Sequence, residues 1–187
     1  MRLSVLVPLL ASAGLAACAP VPGDVRPSDP LPPVAGGAER AQAVLAPASG
    51  SLVSGTLALA TMGDGVHIRG ELGGFRPGGR HGFHIHETGD CSAADASSAG
   101  GHFNPTGAPH GRAGAGPHHL GDMDNIVADA QGRARVDAHV RGVTLGTGRA
   151  DDIAGRAIVV HADPDDYRSQ PSGNAGARVA CGVIAVR

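Results

Sequence analysis

The chain has 187 residues, with 15 arginines and no lysine against 17 acidic residues, a formal charge of −2, and only three phenylalanines and one tyrosine as aromatics. That length makes one modest domain, and balanced charge with so few rings for stacking bases argues against a nucleic-acid binder. Thirty glycines and fourteen prolines argue against long helices, and a core built largely from Ala and Val calls for an additional brace.

Residues 1–17, MRLSVLVPLLASAGLAA, carry one positive charge and then an apolar run interrupted by Pro8 and Gly14. The pattern is that of a signal peptide and is too short for a membrane span. It ends in Leu15-Ala16-Ala17-Cys18, which resembles a bacterial lipobox; the resemblance implies cleavage before Cys18, lipidation of Cys18 and a membrane-anchored protein in the periplasm. Ordinary secretory cleavage is the alternative, and it too carries the chain out of the cytoplasm. Residues 18–40 are rich in Pro and Ala, with six prolines between Ala19 and Ala38, and read as a flexible tether that buries too little apolar surface to fold.

Residues 41–187 form the expected domain. Short runs with period two or β-branched character recur along it: AQAVL, SLVSGTLALA, VHIRGEL, HGFHIHE, NIVAD, ARVDAHV, AIVVH and RVACGVIAV. Glycine-bearing turns such as Gly63-Asp64-Gly65 separate several of them. The expectation is an all-β fold, an antiparallel Greek-key sandwich or flattened barrel of about eight strands. Residues 88–121 and 162–177 break the strand rhythm, and loops of that length in a compact domain are usually functional.

Ten histidines decide what those loops do. His84 and His86 lie two apart in a strand pattern, so both imidazoles project from one face of the sheet and can chelate one metal. The first long interval then supplies His102, His110 and His119, and Asp122 follows three residues after the last of them, giving spacings of eight, nine and three. Three nitrogens and a carboxylate make a full tetrahedral zinc set. His161 closes the apolar run AIVVH where the second interval begins. Imidazole suits both copper and zinc. A single histidine is more often an ordinary polar residue, but six of them with an aspartate at strand ends and in one overlong loop form a constellation. His118 stands next to His119 but fits the step to Asp122 less well, and His67 and His139 read as exposed strand residues.

The motifs GFHIHETGDC, GGHFNP, HGRAGAGPHHLGD, AIVVHADPDD and GNAGARVACGVI resemble the copper/zinc superoxide dismutases of the bacterial exported kind, over nearly the whole domain. The resemblance implies a copper site of His84, His86, His102 and His161, a zinc site of His102, His110, His119 and Asp122, and His102 shared between them as a deprotonated bridge and proton carrier. It further implies that Arg178 docks the superoxide anion and that Asp165 hydrogen-bonds one copper and one zinc histidine. His81 then supports the copper strand without binding metal, and Cys91 and Cys181 form a disulfide suited to an exported protein. Cys18 is left over for a lipid. Relatives differ in pairing, so a homodimer stands as an open expectation, and the membrane is a partner only through the anchor. A metal carrier on the same scaffold would be expected to lack a copper ligand, the bridge or the arginine. A lipid-anchored adhesion sandwich would leave Arg178 and Asp165 without a role.

Overall fold

The structure, a computed structural model, describes residues 37–187. The expected signal segment, Cys18 and nearly all of the tether lie outside the described residues. Within them the chain runs β1 (Arg40–Pro47), β2 (Ser54–Met62), β3 (Gly65–Gly73), β4 (Arg80–His81), β5 (Phe83–His86), a 3₁₀ turn (Ser97–Ala99), β6 (Ile126–Val127), β7 (Arg133–Arg141), β8 (Ala157–His161) and β9 (Arg178–Val186). Seven of these strands form one antiparallel sheet in the order β5-β8-β9-β1-β2-β3-β7, and β4 pairs with β6. β1, β2 and β3 follow one another as hairpins; the chain then crosses to the far edge for β5, returns for β7 and crosses again for β8. That is the Greek-key arrangement expected from the sequence.

Although β5 and β7 are the two edges of the sheet, Phe83 and Ile85 of β5 share one buried cluster with Val136 and Val140 of β7. The sheet is therefore curled around a single core, a flattened half-barrel. Alternation fills this core from the strands of the seven-stranded sheet: Ala41, Ala43 and Leu45 from β1, Leu57 and Leu59 from β2, Ile158 and Val160 from β8 among them.

The run HGFHIHE, read from sequence as one strand, is two. After His81 pairs with Ile126, Gly82 leaves that ladder: its N–H donates to Asp163 O at 2.8 Å and its carbonyl accepts from His161 N–H at 2.8 Å. β5 then pairs with β8, not β6. The two overlong intervals keep their length, relieved in the first by the 3₁₀ turn. His67 and His139 face each other across β3 and β7, as expected of strand residues, but they are half-buried, with ring nitrogens 2.6 Å from Asp137 Oδ1 and 2.7 Å from Asp64 Oδ1.

The first loop is fastened to the outside of the barrel. Cys91 is bonded to Cys181 of β9, and beneath this disulfide lies a second small core of Ala48, Ala96, Ala99, Ala157, Val159 and Cys181. Such small side chains bury little area, so the covalent link carries much of the attachment. Its ends lie 90 residues apart in sequence. Replacing both cysteines with serine is expected to lower the stability of the metal-free protein by roughly 3 to 5 kcal/mol in the chain-entropy account, read as a shift in urea midpoint. A loss below about 1 kcal/mol would show that the alanine packing alone holds the loop.

Candidate metal centre

Period two places β5's side chains on two faces. Phe83 and Ile85 enter the barrel core, while His84 and His86 point outward, yet all four are buried because the long loops cover the outer face. On β8, Ile158 and Val160 likewise face inward and His161 outward. In the register His84 lies opposite Val159 and His86 opposite Ala157.

β5 is a sheet edge, and the first loop uses its free backbone groups. Ile85 N–H donates to Gly121 O at 2.9 Å, Phe103 N–H to Ile85 O at 2.8 Å and Gly121 N–H to Phe103 O at 2.9 Å. The approach requires glycine, since a Cβ on Gly121 would stand 2.2 Å from Ile85 O. The result is that His86 pairs with His102 and His84 with Asp122 as cross-strand neighbours. Residues distant in sequence are thus delivered to two strand histidines by ordinary sheet hydrogen bonding.

Two four-residue groups result, His84, His86, His102 and His161, and His102, His110, His119 and Asp122, each with its candidate ligand atoms within 4.8 Å of one another, and every residue buried. The hydrogen bonds fix which nitrogens are free. His84 Nε2 donates to Asp165 Oδ2 at 2.8 Å, His86 Nδ1 to the Gly100 carbonyl at 2.9 Å and His161 Nδ1 to the Gly176 carbonyl at 3.3 Å. A neutral ring that donates from one nitrogen presents a lone pair on the other. His86 Nε2 and His161 Nε2 then face each other as lone pairs 3.3 Å apart, with His84 Nδ1 and His102 Nε2 buried and without a partner. Such a cluster is costly when empty and favourable around a cation.

In the second group, Asp122 Oδ1 lies 2.7, 3.1 and 3.3 Å from the Nδ1 atoms of His102, His110 and His119. A tetrahedron drawn at zinc–ligand distances has edges of about 3.3 Å. The Nδ1 atoms of His110 and His119 have no hydrogen-bond partner. The other carboxylate oxygen is fixed from behind, Oδ2 accepting from Gly111 N–H at 3.2 Å and His119 N–H at 2.9 Å. The residues present therefore fit both a copper and a zinc ion. His102, with a nitrogen in each group, is the one residue common to both. His118 stays outside, its Nδ1 turned to Gly116 O at 2.7 Å.

Asp165 lies between the groups, Oδ2 on His84 and Oδ1 on His110 Nε2 at 3.0 Å. His81 Nδ1 donates to the His161 carbonyl at 2.9 Å and its ring packs on Phe75, centroids 4.7 Å apart. Arg178 pairs with His161 at the β8–β9 bulge, and its Nη1 and Nη2 donate to Ala96 O and Gly100 O, both at 2.6 Å. The Gly100 carbonyl thus joins Arg178 to His86, a link carried by main chain that left no mark in the residue pattern.

Burial keeps the strand histidines unprotonated. It pulls His84 down to about 4 and His161 to about 3, in His84 against the opposing pull of Asp165. Burial also holds His86 well below the ordinary histidine range, and the positive charge of Arg178 acts in the same direction on His86 and His161. For Asp122, burial opposes ionisation, but hydrogen bonds from His102 and from the His119 and Gly111 N–H groups outweigh it and hold the carboxyl low. In the unfolded chain these histidines titrate near 6.5. Between that value and their folded values the unfolded state binds more protons, so folded stability falls as pH falls through the window. The urea midpoint of metal-free protein should therefore drop steadily below about pH 6.5. A midpoint that stays level down to about pH 4 would contradict buried, neutral histidines.

Residues 53–184 match the sequence profile of the copper/zinc superoxide dismutase family. The chain is 44% identical over 135 residues to "Superoxide dismutase [Cu-Zn] 2" of Aquifex aeolicus, covering 71% of this chain and 79% of that protein. It is 45% identical over 123 residues to "Superoxide dismutase [Cu-Zn] 1" of the same organism, covering 64% and 73%. Among solved structures, the clock protein EA4 superposes with a TM-score of 0.71 at 38% identity, covering 80% of this chain and 96% of that one. A SOD-like protein from Bacillus subtilis gives 0.68 at 36% identity, covering 75% and 95%. One shared architecture carries several descriptions, so activity is argued from the site. The chain belongs to the copper/zinc superoxide dismutase family.

Proposed function

We propose that the chain disproportionates superoxide, two anions and two protons giving dioxygen and hydrogen peroxide. Copper would be held by His84, His86, His102 and His161, and zinc by His102, His110, His119 and Asp122. Copper held there would supply the one-electron oxidation and reduction that the reaction requires. The observation that carries the reading is His102, whose Nδ1 faces Asp122 while its Nε2 is buried without a partner beside the strand histidines. This ring would take up one proton at Nε2 and release it to the peroxide, the second proton coming from solvent. A carrier has no need of a ring shared between two cations.

Arg178 is the docking residue of this proposal. Two carbonyls fix its guanidinium, it is only half-buried, and its remaining N–H groups are available to a small anion. Asp165 sets the ring angles of His84 and His110 together, and His81 steadies the end of β8.

The same proposal has the enzyme exported and held at the periplasmic face of a membrane by a lipid on Cys18, with the residues between Cys18 and the edge of β1 as the tether; the strand itself already begins at Arg40. The Cys91–Cys181 bond supports an oxidising compartment. Cys18→Ala is expected to move the protein from the membrane pellet to the soluble periplasmic fraction; unchanged partition would overturn the anchor.

The enzymatic test uses protein loaded with copper and zinc and an assay of superoxide removal. His161→Ala should lose copper and turnover together. Arg178→Ala should keep both metals and lower kcat/KM by about tenfold to a hundredfold, the loss expected for charge-assisted hydrogen bonds to an anion. An unchanged rate in Arg178→Ala would remove its docking role.

A further inference from the structure

Two side-chain amides that belong to neither ligand group tie the long loops to each other in opposite senses. Gln170, in the second loop, accepts from His110 N–H at 2.9 Å through Oε1 and donates from Nε2 to the His110 carbonyl at 2.9 Å. Asn125, at the end of the first loop, treats Asp165 the same way: Oδ1 accepts from its N–H at 2.8 Å and Nδ2 donates to its carbonyl at 2.9 Å. Each amide thus takes both main-chain groups of one residue, as a neighbouring strand would. The two segments lack a sheet ladder between them, and the amides stand in for one.

The residues so held are the two joined by the His110 Nε2 to Asp165 Oδ1 contact. Gly173 roofs that contact, since a Cβ there would lie 1.8 Å from Asp165 Oδ1 and 2.7 Å from His110 Nε2. Tyr167, at a left-handed φ of 60°, donates its N–H to Asp165 Oδ1 at 2.6 Å and accepts Asn125 N–H on its hydroxyl at 2.8 Å. Gly173 and Tyr167, both of the second loop, thus reach across to the first, at His110 and at Asn125.

The amides grip main chain, so deleting one leaves all seven ligand side chains in place and changes only how firmly they are aimed. Their reach differs. His110 belongs to the zinc group alone, whereas Asp165 touches His84 of the copper group as well as His110. We infer that Gln170 and Asn125 are positioning residues of unequal reach, Gln170 fixing the zinc site through His110 and Asn125 fixing both sites through Asp165. The inference rests on the ligand assignment proposed above.

The test titrates metal-free full-length protein with zinc against a chromophoric chelator, then adds copper(II) and records its visible absorption. Gln170→Ala is expected to weaken zinc binding by about tenfold or more while leaving the copper band in place, the scale seen when partners of ligand residues are removed. Asn125→Ala should weaken zinc comparably and shift the copper band. Gln170→Glu keeps the acceptor for His110 N–H and loses the donor, so its zinc affinity should lie between wild type and Gln170→Ala. Asn125→Asp keeps the acceptor for Asp165 N–H and serves if Asn125→Ala does not fold. Unchanged zinc affinity in Gln170→Ala, or the same copper shift in Gln170→Ala and Asn125→Ala, would overturn the inference. Failure of the wild type itself to take one zinc and one copper would overturn the ligand assignment, and the inference with it.

Discussion

Imidazole lone pairs aimed at a common point repel one another unless a positive ion lies among them, and this chain buries two such points with one ring between them. Desolvation holds the rings neutral, which is the state a metal needs, while hydrogen bonds on the far nitrogens fix which atom of each ring faces inward. The arrangement is costly in the metal-free protein and favourable in the loaded one. Metal affinity, acid sensitivity and catalytic geometry are in this sense one property of the fold.

The barrel itself is ordinary: an aliphatic core filled by alternation, with the histidines on its outer face. What makes that face a site is its cover. The first loop borrows the free edge of β5 and the disulfide to β9, and the second reaches the first through Asp165, Asn125 and Gln170. Arg178 stands where these attachments meet, at the start of β9, three residues from Cys181 and hydrogen-bonded to two carbonyls of the disulfide-bound loop. The small alanine-rich cluster under the disulfide can support the first loop because carbonyl positions are fixed by main-chain bonds and a covalent link more than by side-chain bulk.

Much of this was legible in the sequence, for identifiable reasons. Period two put His84 and His86 on one face, and the interruption of strand rhythm marked both loops. The steps from His102 to Asp122 matched a ligand set, and the structure brings those residues together in that grouping. The role of Asp165 between the two groups came only through resemblance, since Asp163 and Asp166 stand beside it in the chain. Other features left no periodic trace. The split of HGFHIHE at Gly82 depends on which strand each half meets, a tertiary choice that local pattern does not encode. The amides of Asn125 and Gln170 and the Gly100 carbonyl act on main chain across long separations, and neither spacing nor composition signals such bonds.

The central claim is that His102 joins two cation sites. Crystals of the copper- and zinc-loaded protein, with anomalous differences collected at both absorption edges, test it directly. The account predicts two distinct peaks, copper among His84 Nδ1, His86 Nε2, His102 Nε2 and His161 Nε2, and zinc among His102 Nδ1, His110 Nδ1, His119 Nδ1 and Asp122, with the His102 ring between them. A single peak, or a His102 ring bound on one side only, would contradict it.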